Sequence, residues 1–365
     1  MDAALVRRGG GGASVSRLLR RTLVGVAVGV LVYVVALLVF DAREIAASLT
    51  DFAWPAVGLA LLLSSINYLL RFWKWELALG WLDVRGGSGG LHEATELSLP
   101  RSLQIYLAGL SMSVTPGKVG EVLRSALLRA SNGVPFTRTA MVVVADRLSD
   151  LIALVLLALL GLLGVSGASA YLPHILAALV LVIIGVVILG TPRLFGGLLD
   201  LLAKLPVVGN LAEKARGLVD SSAVLLRLGY LVILSAISVV GWGLECIGYW
   251  LILTAFPGVE ASVLLCVFLW SATTLIGALS FLPGGLGATE GSLGVLVARM
   301  AVGVGESVAV ASTFLIRACT LWYGELVGAI ALATFMRDPS THADAIDLDG
   351  EAPPESDPPS IDLDP

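Results

Sequence analysis

The sequence predicts an all-α polytopic membrane protein with about six full transmembrane helices and two oppositely oriented re-entrant helical hairpins, arranged as an inverted repeat. Three observations predict it. First, 57% of the 365 residues are hydrophobic, only 14% are charged and the mean hydropathy is +0.92, whereas a soluble domain carries roughly 25% charged residues. Second, six stretches are long and apolar enough to cross a hydrocarbon core. Third, two further apolar regions are interrupted by Pro-Gly motifs that repeat from one half of the chain to the other.

In chain order, residues 1–22 form a basic N-terminal segment, and 23–337 form the transmembrane domain. The first span is Leu23 to Phe40; Arg17, Arg20 and Arg21 precede it as in a signal peptide, but no small-residue cleavage site follows, so a retained anchor is expected. The second span is Phe52 to Leu70. It is followed by RFWKWELALGW (Arg71 to Trp81), read as an interfacial aromatic belt or, alternatively, a grip on headgroups.

The region Ser102 to Leu128 is broken at TPGKVGE (Thr115 to Glu121). Spans Thr139 to Val165 and Tyr171 to Gly190 come next, then a link over 191–229 whose leucines keep near-helical spacing, as in a helix lying on the membrane surface. The span Tyr230 to Phe256 precedes the second broken region, Ala261 to Val302, interrupted at LPGGLGATE (Leu282 to Glu290). The span Ser307 to Met336 closes the domain. Residues 338–365, rich in Asp, Glu, Pro and Ser, are expected to be disordered.

Proline removes a backbone donor and disfavours helix in the residue before it, while glycine permits a sharp reversal. Each broken region therefore reads as two half-helices meeting at a break, at Pro116, Gly117 and Gly120 in the first and at Pro283, Gly284 and Gly287 in the second. Positive charges set the orientation. With both termini cytoplasmic and both broken regions returning to the side they left, every Lys and Arg falls on the cytoplasmic side except Arg43 and Arg299 outside and Lys118, Arg147 and Arg317 within apolar regions. A full crossing at either region would invert this bias downstream. The repeat halves are then about 52–165 and 230–336, and each carries P-G-x-x-G, a nearby glutamate (Glu121, Glu290) and an arginine in the next span (Arg147, Arg317).

Charges at mid-bilayer cost about 2.5 to 3.5 kcal/mol each on insertion scales. Asp146, Arg147, Asp150, Glu245, Arg317 and Glu325 lie within spans, and Glu121 and Glu290 at the breaks. They must be paired or wet. In a helix Arg147 and Asp150 share a face while Asp146 turns toward a neighbour. A network that merely fixes helix register and a site that holds anions are both open readings. A half-helix starting after each break would aim backbone N–H groups and its positive dipole end at the membrane interior, where phosphate or carboxylate is held. Lys118 and Arg124 read as snorkelling toward headgroups.

Cys246, Cys266 and Cys319 have no short-range partner, and His92, His174 and His342 have no ligand spacing, so neither a metal nor a cofactor is assigned. No GxxxxGKS motif is present, so any driving force is an ion gradient or the lipid gradient itself.

PGKVGEVLR (Pro116 to Arg124), DRLSDL (Asp146 to Leu151), PGGLGATEG (Pro283 to Gly291) and RACTLWYGELVG (Arg317 to Gly328) together resemble the lysylphosphatidylglycerol synthase transmembrane region, also called flippase-like or UPF0104 membrane proteins, from about Val15 to Arg337. The resemblance places Pro116, Gly120, Glu121, Arg147, Pro283, Gly287, Glu290 and Arg317 at the shared motif positions. It implies the flippase part of enzymes that attach lysine to phosphatidylglycerol. The soluble aminoacyl-transfer domain of those enzymes is expected to be lacking here.

The expected function is translocation of a phospholipid or a polyprenyl-phosphate-linked glycan between leaflets of the cell membrane. Arg147, Arg317, Glu121, Glu290, Asp146 and Asp150 are the headgroup-binding candidates, and no catalytic residue is assigned. Two alternatives stand beside it: a non-catalytic membrane partner of a lipid-modifying enzyme or glycosyltransferase, and a membrane-embedded headgroup transferase. The expected partners are membrane lipids and such an enzyme, with no nucleic acid.

Overall fold

A computed structural model describes residues 42–84, 97–115, 123–204, 209 and 215–337. The first span, the first break (Pro116, Gly117, Lys118, Gly120 and Glu121) and the acidic tail lie outside them. The described residues are helical throughout, apart from turns and one antiparallel bridge between Glu260 and Val302. A short helix, α1 (Ala42–Ser48), is followed by α2 (Pro55–Trp81), α3 (Leu99–Ala108), α4 (Leu123–Asn132), α5 (Phe136–Gly161), α6 (Leu172–Gly190) and α7 (Pro192–Ala203). Then come α8 (Val219–Leu225), α9 (Leu228–Thr254), α10 (Val263–Leu279), α11 (Ala288–Met300), α12 (Glu306–Arg317) and α13 (Tyr323–Met336).

Four helical stretches among the described residues are long and apolar enough to cross a membrane: α2, α6, α9, and α12 continued through α13. They coincide with four of the expected spans. A fifth expected span is α5, 26 residues long, which carries Asp146, Arg147 and Asp150 in its middle. The outward faces are greasy: Leu62 and Leu69 of α2, Leu181 and Ile183 of α6 and Leu326 of α13 are exposed. In water such a surface would be a liability; against acyl chains it is the ordinary arrangement.

The helices pair in a crossed pattern. Helices α2 and α9 run antiparallel in close contact, with Ala60 beside Gly248, Asn67 beside Gly241 and Lys74 bonded to Ser238. Helix α5 packs on α10, and α13 packs on α3 and on the 3-10 turn Gly109–Met112 that extends it. Both contacts are backbone-close. A Cβ on Gly161 would strike the backbone of Phe268, and one on Gly328 the backbone of Leu110 and Ser111.

The core divides into two main clusters. One gathers Phe52, Val165, Phe256, Val259 and Ala301, and the other Leu82, Leu97, Val134, Leu226 and Phe335. The flanks of each broken region therefore meet. Arg138 donates twice to the carbonyl of Leu82 (2.7 and 3.0 Å), joining the two sides of the first region. The Glu260 N–H donates to Val302 O (3.1 Å), joining the two sides of the second.

Candidate functional site

The second break is a tight irregular turn between α10 and α11. A 3-10 turn spans Pro283–Gly285, and Gly284, Gly285 and Gly287 all have left-handed φ (59°, 69° and 82°), which a side chain would make costly. Phe281 takes the same region (φ 54°) without being glycine, a conformation that the packed turn on either side must hold in place. Helix α11 starts at Ala288, and its first-turn glutamate, Glu290, accepts the Gly287 N–H at 2.8 Å. The expected anion at this helix start is thus the protein's own carboxylate.

Glu290 also meets Arg317, at the end of α12: Nε donates to Oε1 at 2.6 Å, while Nη2 donates to the carbonyl of Gly284 at 2.8 Å. The Glu290 to Arg317 spacing seen in the sequence is therefore a contact, and it ties the break to the following span. Directly after Arg317 the helix widens into a π-turn, Ala318–Trp322. Insertions of this kind shift the helix face and free a carbonyl. Here Tyr68 of α2 donates to Thr320 O at 2.6 Å.

The second cluster of charges centres on α5. Arg147 Nη2 reaches Asp146 Oδ2 (2.8 Å) and Asp150 Oδ2 (3.2 Å), so Asp146 does not turn away from it as its helix position suggests. Arg71 Nη2 reaches the same two oxygens at 3.4 and 2.9 Å. Lys74 Nζ reaches Asp146 Oδ1 at 2.5 Å and Asp150 Oδ1 at 3.0 Å, and Ser238 bonds both Lys74 (2.6 Å) and Asp150 (2.8 Å).

This corrects the sequence reading of RFWKWELALGW. Arg71 and Lys74 are 7% and 2% exposed and belong to the interior, not to a headgroup belt. Arg124, expected to snorkel, is 1% exposed with its guanidinium 4.3 Å from the Tyr106 ring. The helix simply continues through these residues to Trp81, because their carboxylate partners on α5 make burial affordable.

Both clusters open on one cavity of about 250 Å³. From the first half, Tyr68, Arg71, Ser113, Arg147 and Asp150 line it; from the second, Trp242, Glu245, Trp270, Gly284, Arg317 and Thr320. The cavity thus has both predicted arginines on its wall, with Glu290 immediately behind Arg317. Asp146 faces a smaller cavity. The segment leading into the first break reaches the second: Val114 packs with Leu286 and Leu321, and its N–H donates to Glu325 Oε1 at 2.7 Å.

Glu245 was legible as a buried charge but not as a wall of the site; its carboxylate accepts from Asn67 Nδ2 (2.6 Å) and Trp270 Nε1 (3.3 Å). Among the described residues no three His, Cys, Asp or Glu side chains are grouped as a metal would need.

Comparison with known proteins places the chain in a family of membrane proteins. The family model described as "Lysylphosphatidylglycerol synthase TM region" matches residues 22–328. A UPF0104 membrane protein of Methanothermobacter thermautotrophicus is 38% identical over 99 residues, a match covering 27% of this chain and 28% of that relative. Both broken regions and both arginines fall inside the family match, and the chain belongs to the lysylphosphatidylglycerol synthase TM region family of membrane proteins.

Proposed function

We propose that the protein carries a lipid with a phosphate-bearing headgroup, a phospholipid or a polyprenyl-phosphate-linked glycan, from one leaflet of the cell membrane to the other. The observation that carries this reading is the placement of Arg147 and Arg317, one from each half, on a single cavity of about 250 Å³. Two guanidinium groups suit the oxygens of a phosphate, and the acyl chains stay in the bilayer while the headgroup crosses.

The broken regions act as re-entrant hairpins of an inverted repeat. Supporting this are the joined flanks of each region, the antiparallel α2 and α9, and the crossed packing of α5 on α10 and α13 on α3. Transporters with discontinuous helices in inverted repeats bind substrate near the midplane between the repeats. Glu290 competes with the lipid phosphate for Arg317, so binding loosens the second break. The protein acts as a carrier and not as a headgroup transferase; both termini face the cytoplasm.

Reconstitution in vesicles with fluorescent lipids of differing headgroups tests this. Wild-type protein exchanges phosphate-bearing lipids between leaflets in a headgroup-dependent way, and Arg317→Ala lowers the rate at least about tenfold, the effect of about 1.4 kcal/mol of lost stabilisation. Exchange that ignores the headgroup, or that is equal in protein-free vesicles, overturns the reading.

A further inference from the structure

Arg71 stands in the walls of two cavities at once. One is the cavity of about 250 Å³; the other, of about 10 Å³, is lined by Arg71, Lys74, Arg124 and Asp146 among apolar neighbours. The residues between them are not apolar packing. They are the charged side chains of Arg71, Lys74, Asp146, Arg147 and Asp150, with Asp150 facing the larger cavity and Asp146 the smaller.

The same layer divides the two core clusters. On α5, Met141, Ala145 and Leu148 belong to one cluster and Ala153 and Leu154 to the other; on α9, Leu231 and Leu234 to one and Trp242 and Cys246 to the other. Between them on α5 lies Asp150, with Asp146 and Arg147 one turn earlier beside Leu148, and on α9 lie Ser235 and Ser238.

We propose that this ion network is a gate between the two cavities, and that Arg71 is the positioning residue that hands an anionic group across it. The proposal rests on the carrier reading above for the identity of the cargo, but not for the gate itself. An oxyanion in the larger cavity takes Arg71 Nη2 from Asp150. Asp150 remains paired, because Lys74 and Arg147 each touch both carboxylates. Partner exchange within a shared network therefore avoids the full penalty of stranding a buried charge. Arg71 keeps its contact to Asp146 on the far side, next to Arg124, so the anion moves along a basic wall, which attracts anions and repels cations.

The test is passive ion leak through sealed proteoliposomes, read with a chloride-sensitive dye and, separately, a potassium-sensitive one. Arg71→Gln shortens the bar of the gate, and Asp150→Asn is isosteric and keeps its bond to Ser238. Wild type is tight, and both variants leak chloride at least about tenfold faster with potassium leak unchanged, a barrier loss of about 1.4 kcal/mol. If Arg71→Gln does not purify as a monodisperse protein, Asp150→Asn alone decides. Folded variants as tight as wild type, or a leak equal for both ions, overturn the gate. Chloride leak in the variants beside a wild type that exchanges no lipid supports the gate while rejecting the carrier reading; headgroup-dependent exchange with tight variants does the reverse.

Discussion

Lys74 is a costly residue to place, an ammonium 2% exposed in the interior of a membrane bundle. It is tolerated because Asp146, Asp150 and Ser238 surround it. Removing one partner of an isolated buried pair costs about 3–5 kcal/mol, but Arg71 and Arg147 remain on both aspartates here. Lys74→Ala is therefore expected to fall at or below about 3 kcal/mol, the low end of that range, read as a lowered thermal unfolding midpoint in detergent. Lys74→Ala combined with Asp146→Asn should cost less than the two single changes added, since the pair is coupled; strict additivity would mean that the contact contributes nothing. Glu290 offers a second residue-scale test, because one carboxylate both caps α11 and pairs with Arg317. Gln at 290 can still accept the Gly287 N–H and loses only the charge, whereas Ala loses both. The expected stability order is wild type, then Glu290→Gln, then Glu290→Ala, the last step worth about 0.5–2 kcal/mol as for other lost caps. Equal midpoints for the two variants would remove the capping role.

The elements explain what was legible and what was not. The buried face of α2 runs Ala60, Ser64, Asn67, Arg71, Lys74, Ala78, a regular 4-3-4-3-4 spacing, while Leu59, Leu62, Ile66, Leu69 and Trp73 are exposed. The helix is amphipathic in the inverted sense, polar toward its neighbours and apolar toward lipid. A reading that ends a span at the first charge cuts it at Leu70; one that follows the polar stripe by helical period keeps Arg71 and Lys74 inside. Helix α9 carries the matching stripe, Ser235, Ser238, Trp242, Glu245, Tyr249. The glutamate and arginine of the second half were recoverable from their matched spacing, but the identity of the carboxylate partners of Arg71 and Lys74 depends on how α2 lies across α5, which no local pattern encodes. Crossed packing has its own test. Ala at Gly161 or at Gly328 drives a methyl into facing backbone, which cannot rotate aside as a side chain can. Both should lose about 1–3 kcal/mol through overpacking, whereas Ala at Gly58 of α2, where nothing lies within 4 Å, should be neutral or slightly stabilising through helix propensity. Unfolding midpoints of the three variants in one detergent compare them directly, and a Gly161→Ala protein as stable as Gly58→Ala would contradict the close α5 to α10 contact.

At the scale of the whole molecule the question is which loops share a side of the membrane. The charge bias argued for two regions that return to the face they leave, and it survives correction: taking Arg71, Lys74 and Arg124 out of the cytoplasmic count still leaves only Arg43 and Arg299 outside. What the charges could not supply is the physical link between flanks. The Arg138 to Leu82 bonds and the Glu260 to Val302 bridge hold the flanks of each region together, which supports the proposed hairpins, since residues so joined do not span a bilayer about 30 Å thick. The three cysteines are buried, so labelling of single introduced cysteines should stand above a low background. Thr137, Arg227, Ser169 and Val302 are exposed near helix ends. Cysteines at 137 and 227 should react with a membrane-impermeant maleimide in inside-out vesicles, and those at 169 and 302 in right-side-out cells. Reaction of 137 and 302 from one face would require the three crossings between them, α5, α6 and α9, to become an even number, which turns the second broken region into a full span and is at odds with the cavity that the two arginines share. The accessibility of these four positions therefore tests the inverted arrangement without reference to what the protein carries.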